Sequence, residues 1–255
     1  MSETGGRIGN AGVSPLAGIP IVLASGSPRR IEMLRAHGIE PVVRPADIDE
    51  SVPANLNVRQ AVMYLALKKA LASAEGQDAC KESEPAFVIA ADTVVFKEGI
   101  GIFGKPASPE EARRMLGALR AGEHTVCTGV AILRRAFAGT PSGNARVSSG
   151  EPVSKRVFCE EARVFFKDCS QSDIEAYIAS GEPFDKAGGY AVQGGFGIYV
   201  DRIEGDVHTV MGLPWDRTER ELAAMIAAAR SARGGRVAET GPAPQPPFRT
   251  PAERS

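Results

Sequence analysis

Short apolar runs of strand length alternate with helix-length segments along most of this chain, and that alternation constrains the fold more than any other feature. IPIVLA (19–24) has the pattern of a buried strand, and a helix is expected from Arg29 to about His37. A longer helix is expected from Val58 to Ala74, with Val58, Ala61, Val62, Leu65 and Ala66 on one face. FVIAADTVVF (87–96) is a strong strand pattern. In SPEEARRMLGAL, Ser108 reads as an N-cap, Pro109 as the first helical residue and Glu111 as the closing member of a capping box. Val126 to Leu133 and Val157 to Phe166 read as strands, with a polar loop at 134–156 reaching out between them. Ser170 caps a helix ending at Ser180–Gly181, and IYVDRI, the EGD turn and VHTVM read as a hairpin. A last helix is expected over about 215–229. The interleaving specifies an α/β class, with a mixed central sheet and flanking helices.

Both ends have another character. Residues 1–18 are rich in Gly and Ser, and 231–255 in Pro, Gly and Arg. Such segments bury too little apolar area to offset ordering entropy, so both are expected as disordered tails around one domain at 19–230. Thirty basic residues against thirty-one acidic give a net charge of −1. No global basic field exists to gather nucleic acid, so any anion site is local. Cys80, Cys127, Cys159 and Cys169 include no CxxC pair, which argues against a zinc site or a disulfide framework. IPIVLA is too short for a signal h-region, and nothing approaches the roughly 18 apolar residues of a membrane span. A cytoplasmic protein with reduced thiols is expected.

Three stretches carry candidate chemistry. In SGSPRR (25–30) an apolar run ends at a tight turn before a helix, where free backbone N–H groups and the helix dipole favour an anion. Ser25 and Ser27 add hydroxyls. Arg29 and Arg30 diverge by about 100° on a helix, so one can lean over the helix mouth while the other reaches sideways. That suits a phosphate chain, although an ordinary Ser-Pro cap followed by surface arginines would read alike. No Walker motif is present.

Asp92 sits in the middle of VIAADTVV, on the face shared by Val88, Ala90, Val94 and Phe96. A carboxylate there is costly unless it is paired, hydrated or bound to a metal. Three readings fit: a structural salt bridge, a strand that ends near Ala91, or a general base or metal ligand beside a cleft. Thr93 points to the opposite face while the strand continues.

EPFDKAGGYAVQGGFG (182–197) holds five glycines in its last ten residues. Either it is a flexible hairpin connection, or its backbone approaches a ligand closely. Lys186 supplies a point charge for phosphate, and Gln193 an amide able to read a base edge. Lesser candidates are Asp47, Asp49 and Glu50 in ADIDE, Lys68 and Lys69 in LALKKA, and Lys105 in FGKP. His37, His124 and His208 lack metal-ligand spacing and read as structural.

In order along the chain, LASGSPRRIEML, the Asp49–Glu50 pair, LKKA, AADTVV, GKP, HTVCTGVAI, EPFDKAGGYAVQG and GDVHTVMGLP resemble the Maf family of nucleoside triphosphate pyrophosphatases over roughly residues 20–225. The resemblance implies a fold related to the inosine triphosphate pyrophosphatases, two lobes around a cleft, and commonly a homodimer. It also implies cleavage of the α–β phosphoanhydride to a nucleoside monophosphate and pyrophosphate, with Mg²⁺ or Mn²⁺ as cofactor. Arg29, Thr93 and Gln193 match the branch acting on dTTP and UTP. The branch acting on 7-methyl-GTP carries tryptophan and SDQ at the corresponding places.

Carried over residue by residue, the resemblance makes Asp92 the catalytic aspartate or a metal ligand, with Glu50 as second carboxylate on the cation. Ser25, Arg30, Lys69, Lys105 and Lys186 are expected on the triphosphate, and Arg29, Thr93 and Gln193 on the base. Gly189 and Ala191 stand where the family commonly has alanine and glycine, small exchanges that leave the loop intact. Two alternatives remain: a same-fold pyrophosphatase for a modified purine such as 7-methyl-GTP, and a non-catalytic nucleotide-binding regulator of cell division.

Overall fold

The structure, a computed structural model, describes residues 16, 18–75, 87–135, 141–142, 145–146 and 152–234. Strands β1 (Ile21–Leu23), β2 (Val42–Val43), β3 (Phe87–Lys97), β4 (Gly101–Phe103), β5 (Glu123–Arg135), β8 (Pro152–Phe166) and β9 (Val200–Glu204) form one sheet in the order β2-β1-β3-β5-β8-β9, with β4 also on β3. The β1–β2 and β1–β3 pairs are parallel and the others antiparallel, so the sheet is mixed as expected. Two short strands, β6 (Pro141–Ser142) and β7 (Ala145–Arg146), pair separately.

Helix α2 (Val58–Glu75) covers one face of the sheet. It lies close because it presents small residues: Ala66, Ala70 and Ala74 are buried against Val22, Val88, Ala90 and Leu133. Gly129 of β5 removes the last obstacle, since a Cβ there would meet the carbonyl carbon of Val62 at 2.4 Å. On the other face two apolar clusters sit at opposite ends. One gathers β1, the start of β3, α1 (Pro28–Ala36) and α6 (Trp215–Gly234). The other gathers the end of β3, α3 (Pro109–Leu119), α4 (Gln171–Ala179) and the glycine-rich segment. These are the two lobes.

A gap in one sheet edge separates them. β1 pairs with Phe87 to Ile89 of β3, and β4 pairs with Val95 to Lys97 of the same strand. Both lie opposite β5, so among the described residues the stretch from Ala90 to Val94 has no strand on that side. Asp92 and Thr93 therefore open onto a cleft from the middle of a continuous strand. This excludes the reading in which the strand stops near Ala91.

Several expectations shift. VHTVM is helix α5 (Val207–Met211), not the second arm of a hairpin. The Asp206 carboxylate caps it by accepting from His208 N–H, and Gly212 ends it in the left-handed region at φ 101°. At α3 the Ser108 hydroxyl accepts from Glu111 N–H, but the Glu111 carboxylate reaches back to Ala107 N–H, so the capping box does not close on Ser108. Ser170 and Asp173 do close one at α4. Ser27 occupies the N-cap of α1 without capping it through its side chain. The segment 134–156 is not all loop, because β5 and β8 stay paired out to Arg135 and Pro152. Leu16 is buried in the core, ahead of the boundary expected at 19, and α6 runs past 230. Cys80, within 76–86, and most of both tails lie outside the described residues; Cys127, Cys159 and Cys169 are buried free thiols. No helix among the described residues is long and apolar enough to cross a membrane.

Candidate active site

The cleft has a volume of about 840 Å³, and every side chain expected at the site lines it: Ser25, Arg29, Arg30, Glu50, Lys69, Asp92, Thr93, Lys105, Lys186 and Gln193. They come from the β1–α1 turn, the loop after β2, α2, the middle of β3, the loop after β4 and the glycine-rich segment. Asp47, Asp49 and Lys68 do not line it. Asp49 is turned to Ser51, and Lys68 bonds the Asp49 carbonyl.

Asp92 points from β3 towards α2, where Lys69 Nζ lies 2.7 Å from its Oδ1. The same ammonium lies 2.8 Å from Glu50 Oε1. The salt-bridge reading of Asp92 is thus correct as geometry, and the pair stands inside the cleft. The hydrogen bond from Lys69 holds the Glu50 carboxyl below its usual range, against the opposing effect of its own partial burial. A single cation already bridges two carboxylates here.

Thr93 faces the other way and meets Arg30. That guanidinium donates three bonds: Nε to the Gly212 carbonyl at 2.8 Å, one Nη to Ser25 Oγ at 2.9 Å and the other to Thr93 Oγ1 at 3.1 Å. Burial lowers its pKa to about 10, with Asp92 pulling the other way, so it stays charged at neutral pH. Arg29 lines the same cleft, and its buried Nε has no partner among the described residues. The divergence expected for adjacent helical arginines is realised: Arg30 turns inward and is clamped, while Arg29 is left with a donor to offer.

The glycine-rich segment is not a hairpin. It folds as three 3-10 turns, Glu182–Asp185, Ala187–Gly189 and Gly195–Tyr199. Gly188 (φ 69°) and Gly189 (φ 75°) sit in the left-handed region, and a Cβ on Gly188 would strike Val95 at 2.8 Å. Close packing on β3 and on the Gly104 carbonyl, which accepts from Gly188 N–H at 2.9 Å, explains Gly188, and the left-handed backbone alone explains Gly189, where a Cβ would meet nothing nearer than 3.7 Å. Lys186 Nζ is held by the Glu182 carbonyl at 2.7 Å and the Asp185 carboxylate at 2.5 Å. Lys105 and Gln193 are exposed at the rim.

Glu182 and Asp185 also line the cleft and escaped the sequence reading, although EPFDK contains them. Thr128 escaped it too. It is fully buried on β5 opposite Thr93, and its hydroxyl lies 2.9 Å from that of Thr93. Only strand register, which the sequence does not display, brings the two together.

The Maf-like protein family matches residues 20–225. A dTTP/UTP pyrophosphatase of Geobacillus sp. (strain WCH70) is 41% identical over 202 residues, covering 79% of this chain and 96% of its own. The chain belongs to the Maf family. A second relative of this Maf chain, the dTTP/UTP pyrophosphatase of Caldicellulosiruptor bescii, is 42% identical over 195 residues, covering 76% of this chain and 88% of its own. Among solved structures, the Staphylococcus aureus Ham1 protein overlaps 83% of this Maf chain and 99% of its own with a TM-score of 0.41 and 14% sequence identity.

Proposed function

We propose that this chain hydrolyses dTTP and UTP to the nucleoside monophosphate and pyrophosphate. The observation that carries the reading is the convergence of Arg29, Arg30, Lys69, Lys105 and Lys186 on one cleft beside Asp92 and Glu50. A cationic cradle around a carboxylate serves a polyanion that must also be attacked. A module that only bound nucleotides would gain nothing from Asp92, which repels phosphate. The names of the relatives supply the base: dTTP/UTP pyrophosphatases matched over nearly their whole length.

In this reading water attacks the α-phosphorus and passes its proton to the Asp92 carboxylate, whose Oδ1 Lys69 fixes. The α–β bridging oxygen leaves with pyrophosphate, and Arg30, Lys105 and Lys186 stabilise the charge that develops on it. Arg29 and Gln193, which line the same cleft, are assigned to the base.

A divalent cation fits the residues present. Asp92 and Glu50 are hard oxygen donors already brought to one positive charge by Lys69. No group of three His, Cys, Asp or Glu side chains gathers among the described residues. Two carboxylates completed by substrate phosphates and water are a donor set that Mg²⁺ or Mn²⁺ accepts. When bound, the ion would neutralise phosphate charge. The reading extends to a cytoplasmic homodimer, as the family likeness implies.

A panel of nucleoside triphosphates assayed for pyrophosphate release tests it. dTTP and UTP should turn over fastest, with activity lost in EDTA and restored by Mg²⁺ or Mn²⁺. Faster turnover of 7-methyl-GTP would transfer the chain to the purine reading, and no turnover of any nucleotide would leave only the regulator.

A further inference from the structure

Arg30 belongs to a chain of hydrogen bonds that runs away from the cleft into the core. Its Nη donates to Thr93 Oγ1, Thr93 Oγ1 meets Thr128 Oγ1 at 2.9 Å, and Thr128 Oγ1 donates to the Thr209 carbonyl at 2.7 Å. The direction of the middle bond follows from the two ends. A guanidinium only donates and a carbonyl only accepts. Thr128 has one hydroxyl hydrogen, and the Thr209 carbonyl takes it. Thr93 must therefore give its own hydrogen to Thr128 while accepting from Arg30. Every proton in the relay points inward.

We propose that Thr128 is a positioning residue for Arg30, and that Thr93 belongs to that relay and does not donate to the base. The proposal rests on the reading of the cleft as a triphosphate site. Its parts are placed by secondary structure: Thr93 and Thr128 by the β3–β5 register, the Thr209 carbonyl by α5, and the Gly212 carbonyl on Arg30 Nε by the left-handed end of that helix. Of the five N–H groups on Arg30, three are spent on Gly212, Ser25 and Thr93, which leaves one on each terminal nitrogen. Those two form a preset fork for phosphate oxygens, already oriented before substrate arrives. Thr128 has no exposure at all, so it touches no ligand and acts only through Thr93 and Arg30.

Inorganic tripolyphosphate separates the two roles because it carries no base. Titration calorimetry would compare it with a non-hydrolysable α,β-imido analogue of dTTP on the full chain and on Thr128→Val, Thr128→Ser and Thr93→Val. The relay requires Thr128→Val to bind both ligands about fivefold to tenfold more weakly, the effect of one lost hydrogen bond. KM for dTTP and UTP should rise by the same factor with their ratio unchanged, and Thr128→Ser should restore wild-type values. Thr93→Val should also weaken tripolyphosphate, which keeps the test decisive if Thr128→Val does not fold. Tripolyphosphate bound normally by both valine variants, with only the nucleotide weakened, would overturn the relay and return Thr93 to the base. Failure of the wild type to bind tripolyphosphate or to hydrolyse either nucleotide would instead sink the reading of the site.

Discussion

Lys69 Nζ lies 2.7 Å from Asp92 Oδ1, and the two side chains are nearly equally buried, 14% and 12% exposed. An ion pair in this setting earns little net stability, since desolvation consumes much of the attraction. Its use is geometric. The ammonium fixes one carboxylate oxygen and draws Glu50 in from the loop after β2. Asp92→Asn preserves the shape and an acceptor for Lys69 while removing the charge and the proton acceptor. kcat for dTTP should fall by about 10²- to 10⁴-fold, with the Kd for a non-hydrolysable nucleotide changed by little. Single-turnover kinetics and calorimetry measure the two separately. Unchanged hydrolysis would remove Asp92 from the mechanism.

Gly129 carries a different prediction, about the distance between α2 and the sheet. It pairs with Asp92 across β3 and β5, and the peptide of Val62 lies directly over it. Val62 and Lys69 are seven residues apart and so share a face of α2. In Gly129→Ala the new Cβ would sit 2.4 Å from backbone that no side-chain rotation can move. α2 must lift, at a cost of about 1–3 kcal/mol, and Lys69 moves with it. Thermal unfolding should show the loss of stability. kcat/KM should fall too, although no atom at residue 129 touches substrate. A variant that kept both values would mean that α2 does not set the Lys69–Asp92 distance.

What could be read from the sequence divides along the same physical line. Local signals were legible: the apolar run through Asp92, the Ser170 cap, and the face of α2 that carries Val62, Leu65 and Ala66, all three buried. The site residues were legible because their chemical types recur in an order that matched a family. What was missed depends on contacts between distant segments. VHTVM reads as the second arm of a hairpin, yet Asp206 as N-cap and Gly212 as C-terminal glycine make it a short helix. Thr128 looks like any strand threonine until register sets it opposite Thr93. The gap between β1 and β4 that exposes Asp92 follows from which parts of β3 each one pairs with, and no property of residues 90–94 announces it.

The glycine-rich segment is anchored by a buried pair, and that pair makes stability depend on pH. His124 Nε2 and the Tyr190 hydroxyl are 2.6 Å apart, packed edge-on against Phe166, and His124 Nδ1 has no partner among the described residues. Burial lowers the imidazole pKa from 6.5 to about 4, and Lys97 adds to the shift. Because the folded value is the lower one, the unfolded chain binds the extra proton. The contribution is complete above pH 6.5 and is lost as pH falls towards 4. Between pH 7.5 and pH 5 the loss amounts to about 2 kcal/mol. His124→Gln cannot titrate but keeps a donor for Tyr190, so urea unfolding of this variant at the two pH values gives the comparison. The wild type should lose about 2 kcal/mol more than the variant over that interval, while carboxylate contributions cancel between them. Parallel losses would show that the imidazole is solvated in the native protein and that Tyr190 is held by packing alone.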